Sequence, residues 1–509
     1  MSLRRRSAWR LGAPMVAIAT CVAMAAGCVP SDVSLHRFPP AAGAPVVSVE
    51  APDTVAPLRM VRGRLVDGVG RVVLLHGMNS VNKSAPYISL LTDGGLGPLD
   101  RAYLRTNGFD AVRLGVSYAA LMPTAGSVDS TYLDRVVAVV DALSADGLWV
   151  QLDFHQDVFT GMPDWATPPD ALALSPDPPE FLASIGWAAA YTSPRSIRQW
   201  DSFLAGETTV PVVGGPNRSV ASLLGDAAAA LAARVRDRDH VIGIELLNEP
   251  FSGSAVLRCI LEGCGDVEGL LADRYAEMTT AIRAVAPEMP VWEEPFAPTA
   301  IAAPGGLPAR PVPATAHGPQ VGLAFHLYCA GTDGGTVEEA PGGTVLWCEH
   351  RFDAGLAAGA DMAAGLDGPA LLNEFGASQN PLDVTLVGRR ADAGFVSWMY
   401  WHYQAAESAD DSGLPDEVES QIVRSYPQAT AGSPRSLAFD PATGRMDYTY
   451  TPDASIALPT SIVVPRRHYP AGYDVTVSHG VVTSAPQSGR LTVVGDGSGL
   501  DVRVVVTRR

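Results

Sequence analysis

The sequence predicts a protein of the α/β class, a (β/α)8 or TIM barrel followed by a C-terminal β-sandwich. Eight short apolar runs alternate with segments in which apolar residues return every three or four positions. This alternation is typical of a parallel sheet covered by helices, and eight repeats are the number that closes such a sheet into a barrel. The strand-like runs are 71–79, 109–117, 148–157, 241–250, 290–296, 321–328, 369–376 and 394–403.

The helical period is clearest in two of the intervening segments, 132–147 and 222–237. From about residue 435 the pattern changes to short strands broken by glycine, proline and aspartate, with no helical segment between them. That pattern is typical of a small β-sandwich. We therefore expect the barrel to span 58–432 and the sandwich to span 433–509.

The N-terminal segment, residues 1–28, has the features of an export signal. Arg4, Arg5 and Arg6 precede an apolar stretch of small residues that ends in AAGC at Cys28. This end resembles a bacterial lipobox, in which Cys28 is lipidated; the alternative is simple cleavage nearby and secretion. Residues 29–57, rich in proline and alanine, are typical of a flexible tether. We expect an extracellular protein, free or anchored to the cell membrane through Cys28.

Four other cysteines fall into two close pairs, Cys259 with Cys264 and Cys329 with Cys348. In an exported protein such pairs favour two local disulfides that stabilise loops. A zinc site is the alternative interpretation, but the pairs lack partner histidines at ligand spacing. We therefore predict disulfides and no metal.

The charge balance argues against one class of partner. The chain of 509 residues has a formal net charge of −18 at pH 7, which repels the phosphates of nucleic acids. We expect no nucleic-acid partner.

One predicted connection, residues 158–220, is too long for a simple loop. Loops of this length are often lids or binding walls. Phe159 and Trp165 could form an apolar wall beside the mouth of the barrel; alternatively, the aromatic residues form a local packing core. The six aromatic residues considered are Phe159, Trp165, Phe181, Trp187, Tyr191 and Trp200.

Two of the strand-like runs end in a carboxylate. HVIGIELLNEPF (240–251) and PALLNEFGAS (369–378) place Glu249 at the end of the fourth strand and Glu374 at the end of the seventh. Buried strand interiors exclude glutamate unless it is paired or used, and a barrel gathers the C-terminal ends of its strands at one mouth. Two carboxylates across a cleft are what glycoside hydrolysis requires.

Four more polar side chains are predicted at the same end of the barrel. Arg113 ends the second strand and is the candidate cation that favours an ionised nucleophile, and Tyr328 can donate a hydrogen bond to the same carboxylate. His155 and His326 end the third and sixth strands, where they can orient hydroxyls or the carboxylates. Each alone is typical of a structural polar group, but their shared position indicates an active site.

These motifs resemble glycoside hydrolase family 5. The resemblance rests on LLNEPF, LDFHQDVF, FHLY, NEFGAS and the tryptophan of MYWHY, and it covers roughly residues 58–509. NKSAP after the first strand, and HQDVF followed by PDWAT, are similar to the endoglycoceramidase branch of that family. Asn373 departs from the family pattern, in which a small residue such as glycine is common before the second glutamate.

Residue by residue, the resemblance implies that Glu249 is the acid/base and Glu374 the nucleophile. It implies that Asn248 holds the 2-hydroxyl of the sugar, and that Arg113 and Tyr328 hold the nucleophile. The residues implied to bind the sugar beside the scissile bond are Lys83, His155, Asp157 and Trp401.

Composition also draws attention to Lys83. It is the only lysine in the sequence, and arginine takes the place of lysine everywhere else. A sequence so biased toward arginine favours a lysine where a compact ammonium is needed, since the two side chains are not interchangeable at a contact site. Chance survival of one lysine is the alternative.

We therefore expect a retaining, exported glycosidase that cleaves the bond between glycan and ceramide in a glycosphingolipid. We expect it to act as a monomer at a membrane or micelle surface, with no metal or organic cofactor. One alternative is a β-glucanase or β-glucosidase that acts on polysaccharides or other β-glucosides, including sterol glucosides. Another is a binding protein built on an inactive barrel, which the presence of both glutamates disfavours.

Overall fold

Eight parallel strands close into a barrel in the computed structural model, which describes residues 53–180, 189–212, 214–297, 318–328, 343–377 and 380–509. The predicted export signal, Cys28, Cys329, Phe181 and Trp187 lie outside these residues. Seven of the eight barrel strands fall within the runs predicted from the sequence, and the first extends one residue beyond its run, to Ser80. The eight strands are His76–Ser80, Ala111–Val116, Trp149–Phe154, Val241–Glu245, Val291–Glu293, Val321–His326, Ala370–Glu374 and Ser397–Tyr400.

Closure follows from pairing of the eighth strand with the first, with Trp398 opposite His76. Almost every strand residue is buried, because helices cover the outer face of the sheet while side chains fill its interior. The helices are Pro98–Thr106, Tyr118–Leu121, Ser130–Ala145, Pro194–Ala205, Val220–Val235, Val256–Glu262, Asp266–Val285, Gly343–Gly365, Pro381–Gly394 and Asp416–Ile422.

Side-chain caps fix where several helices begin. Asp129 accepts hydrogen bonds from the backbone N–H groups of Thr131 and Tyr132 at 2.8 and 3.0 Å. Asn380 accepts from the N–H of Leu382 at 2.9 Å, directly before a proline at the first helical position. Such caps satisfy donors that have no partner inside the helix. They hold the segments that leave the mouth of the barrel in a defined direction.

Two antiparallel sheets form the sandwich. A four-stranded sheet contains Gly432–Asp440, Arg445–Pro452, Val502–Arg508 and Tyr473–Ser478. A seven-stranded sheet contains Arg59–Val61, Arg64–Val66, Val72–Val73, Tyr426–Thr430, Thr460–Val463, Arg490–Gly495 and Gly480–Val482. A pair of two-residue strands, Thr209–Val210 and Arg218–Ser219, lies apart from these sheets.

The seven-stranded sheet differs from the domain division drawn from the sequence. Four of its strands, three before the barrel and one after it, lie within 58–432. The division assumed that a domain is continuous in sequence. In the structure, short strands that precede the barrel in the sequence join one sheet with strands that follow it. Met60 and Leu65 of the first two strands pack against Trp149 and Trp292. This hairpin closes the N-terminal end of the barrel and leaves the catalytic mouth at the other end.

Among the residues that the structure describes, no helix combines the length and the apolar character needed to cross a bilayer.

Candidate active site

Glu249 has a backbone held from two sides. Its φ of 42° lies in the left-handed region, which non-glycine residues seldom adopt. The N–H of Glu249 donates to Oε2 of Glu294 at 2.7 Å, and its carbonyl accepts from Nε2 of Gln156 at 3.1 Å. These bonds stabilise a turn at the end of the fourth strand that directs the carboxyl group into the mouth. Strained positions of this kind are often found at functional sites.

The carboxyl group of Glu249 is buried and hydrogen-bonded at both oxygens. Oε1 lies 2.8 Å from Nδ1 of His326, and Oε2 accepts from the hydroxyl of Tyr191 at 3.2 Å. Burial, together with the negative charge of Asp157, raises the pKa of Glu249 to about 7. A carboxyl group with such a pKa is protonated in a substantial fraction of molecules at neutral pH, as a general acid must be.

Glu374 lies in a different electrostatic environment. Its Oε1 accepts a short hydrogen bond from Nη1 of Arg113, and its Oε2 accepts from the hydroxyl of Tyr328 at 2.8 Å. A guanidinium ion and a hydroxyl donor both stabilise a carboxylate. The surroundings of Glu249 therefore suit a general acid, and those of Glu374 suit a nucleophile. The predicted partners Arg113 and Tyr328 lie beside the predicted nucleophile.

Arg113 is the centre of a buried network beneath the mouth. Its Nε and Nη2 donate to the two oxygens of Glu245 at 2.8 and 3.1 Å. Nη2 also donates to Oδ1 of Asn248 at 2.7 Å, and Nη1 donates to Oδ1 of Asn79 at 3.0 Å. Because its planar fork is bonded on every side, the guanidinium is fixed where it meets Glu374.

Asn248 and Asn373, which precede the two glutamates, are both fixed by this network. Besides its bond to Arg113, Asn248 donates through Nδ2 to the carbonyl of Gln156 at 2.9 Å, which leaves its second N–H for a ligand. Asn373 donates through Nδ2 to Oε2 of Glu245 at 2.8 Å. The departure of Asn373 from the family pattern thus has a structural role: its amide holds the carboxylate that orients Arg113.

The spacing of the two carboxyl groups supports one type of chemistry. One oxygen of Glu249, one of Glu374 and a ring nitrogen of His326 all lie within 4.8 Å of one another. Retaining glycosidases have carboxyl groups about 5–5.5 Å apart, whereas inverting enzymes need about 6.5–9.5 Å to admit a water molecule. The same three atoms could in principle bind a metal ion, but the adjacent Arg113 guanidinium repels a cation. The geometry favours hydrogen bonding and a retaining mechanism.

A second cluster of predicted residues adjoins the carboxyl pair. Nζ of Lys83 lies 2.6 Å from Oδ2 of Asp157 and 4.8 Å from the centre of the Trp401 ring. The His155 ring stacks on Trp401 with centroids 5.4 Å apart. An aromatic face bordered by an ammonium and a carboxylate is suited to a sugar, which presents C–H groups on one face and hydroxyls at its edge. The roles implied for Lys83, Asp157, His155 and Trp401 therefore have a consistent geometry.

His155 is charged because of its neighbours. Burial disfavours the imidazolium ion, but the carboxylates of Asp153 and Asp157 outweigh that effect and raise the pKa of His155 to about 9. Its Nδ1 lies 2.7 Å from Asp153. For Asp157, burial opposes ionisation, yet His155 and Lys83 hold the pKa of the carboxyl below its usual value. Lys83, Asp157 and His155 line a cavity of about 270 Å³ with Asn82, Tyr87 and Ser117.

Three functional residues were missed by sequence reasoning. Glu294 and Glu245 lie in or directly after strands whose sequences contain carboxylates, VWEEPF and GIELLNE, but only the three-dimensional structure shows which carboxylates meet Glu249 and Arg113. Tyr191 was recognised only as one aromatic residue of the long loop. A carboxylate inside an apolar strand was the available signal for the first two.

The interpretation of Phe159 as part of an apolar wall beside the mouth of the barrel is wrong. Phe159 is buried and packs edge-on against Trp200, with ring centroids 5.2 Å apart. Trp165 is half-buried and its indole N–H donates to the carbonyl of Met122 at 2.8 Å. The alternative of a local packing core describes both residues, because a long segment must bury some apolar surface of its own to remain ordered.

Cys259 and Cys264 are placed as a bonded pair, with Cα atoms 4.0 Å apart. The second predicted pair includes Cys329, which lies outside the described residues.

Comparison with known proteins identifies the family of this chain. Residues 101–407 match the model of the cellulase family, glycosyl hydrolase family 5, and residues 424–506 match the glycoside hydrolase family 5 C-terminal domain. Endoglycoceramidase I of Rhodococcus hoagii (strain 103S) is 38% identical over 441 residues, 86% of this chain and 85% of that protein. An endoglycoceramidase of Cyanea nozakii is 27% identical over 450 residues, 81% of this chain and 85% of that protein.

A similar solved structure is the lactosyl-enzyme intermediate of endo-glycoceramidase II from Rhodococcus sp. It has a TM-score of 0.67 and 28% identity, and it covers 88% of this chain and 100% of that chain. These matches include both the barrel and the sandwich. This chain belongs to glycoside hydrolase family 5.

Proposed function

We propose that this protein is a retaining endoglycoceramidase, which cleaves the bond between the glycan and ceramide of a glycosphingolipid. The products are the sugar or oligosaccharide and ceramide. The observation that carries the chemistry is the pair of buried carboxyl groups: Glu249 with a raised pKa, and Glu374 bonded to Arg113. The substrate class is supported by relatives named endoglycoceramidase and by a related structure in complex with ganglioside GM3.

In the first step Glu249 donates its proton to the glycosidic oxygen as the bond from that oxygen to the anomeric carbon breaks. A carboxylate oxygen of Glu374 forms a new bond to the anomeric carbon from the opposite face, and ceramide leaves with its hydroxyl restored. Arg113 and Tyr328 hold Glu374 in position for this attack. The free N–H of Asn248 is suited to the 2-hydroxyl of the sugar, where hydrogen bonds strengthen in the transition state.

In the second step Glu249, now ionised, accepts a proton from a water molecule. The resulting hydroxide attacks the anomeric carbon, the bond to Glu374 breaks, and the glycan leaves with its original configuration. The step consumes one water and restores both carboxyl groups. Lys83, Asp157 and the Trp401 face keep the sugar at the site throughout, since these groups border the carboxyl pair.

We also propose where the protein is located and on what kind of surface it acts. The Arg4–Arg6 cluster and the small apolar residues that follow it support export, and AAGC supports lipidation at Cys28. In that oxidising environment we propose that the Cys259–Cys264 disulfide forms, as does the predicted Cys329–Cys348 pair. We propose that the enzyme acts as a monomer at a membrane or micelle surface, where glycosphingolipids reside.

Product analysis on a defined panel of substrates tests this function. The panel contains a glycosphingolipid in detergent micelles, a sterol β-glucoside and soluble cello-oligosaccharides. We expect intact glycan and ceramide from the glycosphingolipid, the glycan initially in its original anomeric configuration, and no product from a Glu374→Gln control. Preferential cleavage of cello-oligosaccharides would favour a β-glucanase, and preferential cleavage of the sterol glucoside would favour a sterol glucosidase.

A further inference from the structure

The exposed leucines of this protein are unevenly distributed. In the part of the chain that the structure describes, all but Leu500 lie after the C-terminal end of a barrel strand, either in the connecting segment or in the first turns of a helix that follows it. Those segments surround the catalytic mouth. The leucines concerned are Leu90, Leu91, Leu172, Leu174, Leu257, Leu261, Leu270 and Leu382.

Leu257 and Leu261 are the most exposed members of this group, at 70% and 78%. Both belong to the short helix Val256–Glu262, which follows the fourth strand shortly after Glu249. Residues four apart in a helix lie on one face, so the two side chains form a single apolar patch. Isolated exposed leucines are ordinary, whereas two on one helical face add to a contiguous apolar surface, the feature that contact surfaces share.

The opposite face of the same helix holds it to the protein. Cys259, two residues from each leucine, is turned about 200° from Leu257 around the helix axis. It is buried and paired with Cys264. At the start of the helix, the N–H of Ser254 donates to Oδ1 of Asp201 at 2.8 Å, which joins this segment to helix Pro194–Ala205. The helix is thus fixed by its inner face and presents Leu257 and Leu261 outward.

We propose that Leu257 and Leu261 insert into the surface of the lipid assembly that contains the substrate. This inference rests on the proposed function and adds the element by which the enzyme docks. The patch lies on the chain segment that directly follows the acid/base, so a lipid surface in contact with it also adjoins the mouth that must receive the glycan-ceramide bond. Apolar side chains on one face of a surface helix bind lipid interfaces by this means.

The charge of the protein indicates the kind of surface. With a formal net charge of −18, the chain is repelled by anionic lipids, so binding must come from burial of apolar side chains. A neutral surface such as phosphatidylcholine is therefore the expected partner. Burial of a leucine side chain corresponds to about a tenfold change in partitioning, or more, so loss of both should be readily measured.

The test compares wild type with the double variant Leu257→Ser/Leu261→Ser. Leu500→Ser, which removes an exposed leucine from the sandwich, is the matched control. Three quantities are measured: cosedimentation with substrate-free phosphatidylcholine vesicles, kcat/KM on glycosphingolipid embedded in those vesicles, and kcat/KM on a soluble aryl glycoside. We expect the double variant to bind vesicles at least tenfold more weakly and to lose about tenfold on the embedded substrate. Soluble turnover should stay within twofold of wild type, and the control should match wild type in all three.

Several results would overturn the proposal. They are absence of vesicle binding by wild type, unchanged vesicle binding by the double variant, or equal losses on embedded and soluble substrates. A change from dimer to monomer in the double variant, seen by sedimentation velocity, would assign the patch to self-association instead. Failure of wild type to cleave glycosphingolipid in either vesicles or detergent would contradict the proposed function, whereas substrate-free vesicle binding still decides the role of the leucines.

Discussion

Nδ1 of His326 lies 2.8 Å from Oε1 of Glu249. Burial lowers the pKa of His326 to about 3, so the ring is neutral and one of its nitrogens carries hydrogen. Nδ1 faces carboxyl oxygens of Glu249, Glu294 and Glu374, which assigns the hydrogen to Nδ1 as a donor. With Oε1 of Glu249 accepting from His326, the acid proton belongs on Oε2, beside the Tyr191 hydroxyl.

This arrangement predicts the alkaline side of the pH profile. Because the pKa of Glu249 is raised to about 7, the protonated form needed for the first step is lost as the pH rises through that value. We expect kcat/KM for a glycosphingolipid to fall above about pH 7. An aryl glycoside with a good leaving group needs no protonation, so its alkaline decline should be absent or displaced to higher pH. Identical profiles for the two substrates would contradict the assignment.

Two variants of the sugar-binding cluster should move that decline in opposite directions. The charge of Asp157 raises the pKa of Glu249, whereas the charge of Lys83 lowers it. Asp157→Asn should therefore shift the alkaline decline to lower pH, and Lys83→Met should shift it to higher pH. Both variants also weaken sugar binding, but the position of the decline on the pH axis is independent of its amplitude. Shifts in the same direction would show that these charges do not act on Glu249.

The two catalytic glutamates should respond differently to replacement by glutamine. Glu249→Gln removes the proton donor, so we expect a loss of at least a hundredfold on ceramide-bearing substrates and a much smaller loss of kcat/KM on activated aryl glycosides. Glu374→Gln removes the nucleophile and should abolish turnover of both. Circular dichroism and thermal unfolding should show both variants folded. If Glu249→Gln lost equal activity on both substrates, the assignment of Glu249 as the acid/base and of Glu374 as the nucleophile would be contradicted.

Lys83→Arg tests whether a compact ammonium is required. Nζ of Lys83 lies between Asp157 and the face of Trp401, a gap in which a planar guanidinium would crowd the sugar. Charged hydrogen bonds to a sugar are worth about 1.5–3 kcal/mol each, so we expect a loss of roughly ten- to a hundredfold in kcat/KM. Arg445→Lys, at the exposed pair with Asp447 on the sandwich, is the matched control. Near-normal activity of Lys83→Arg would mean that this lysine survived by chance.

Glu294 should act on the reaction through Glu249. Its Oε2 accepts the N–H of Glu249; Glu294→Met removes that acceptor, whereas Glu294→Gln retains a carbonyl oxygen. We expect Glu294→Met to lose roughly a hundredfold on ceramide substrates and less on activated aryl glycosides, because a misplaced acid reproduces the leaving-group dependence of Glu249→Gln. Glu294→Gln should retain most activity. Loss without leaving-group dependence would indicate a purely structural role.

Much of the site follows from where polar residues interrupt apolar strands. Glu249, Glu374 and Arg113 each occur at a strand end or in a strand interior, where a charged side chain is buried only if it is paired or takes part in function. Parallel strands bring such positions together at one end of the barrel. Tyr191 has no comparable signal, because its contact with Glu249 depends on the path of a long loop. Local sequence specifies strand ends well and loop paths poorly.

The burial of loop side chains was least predictable for the same reason. Phe159 is hidden while Leu257 and Leu261 are exposed, although all three are apolar residues in segments that leave the same end of the barrel. Which of them is covered depends on helix Pro194–Ala205, against which Phe159 packs through Trp200. Such contacts join residues far apart in the chain, and no periodic pattern encodes them.

The seven-stranded sheet contains strands from both before and after the barrel in the sequence, so unfolding of the barrel and unfolding of the sandwich are coupled. Val72 and Val73 pair with Thr430 and Ala429, and the hydroxyl of Tyr426 donates at 2.8 Å to the carbonyl of Gly108, in the turn that leads into the second barrel strand. The strands that seal the barrel floor therefore complete their hydrogen bonds only in the presence of the C-terminal strands. The sandwich is part of the catalytic unit's own framework and not an exchangeable module, so the two halves should melt in a single cooperative transition.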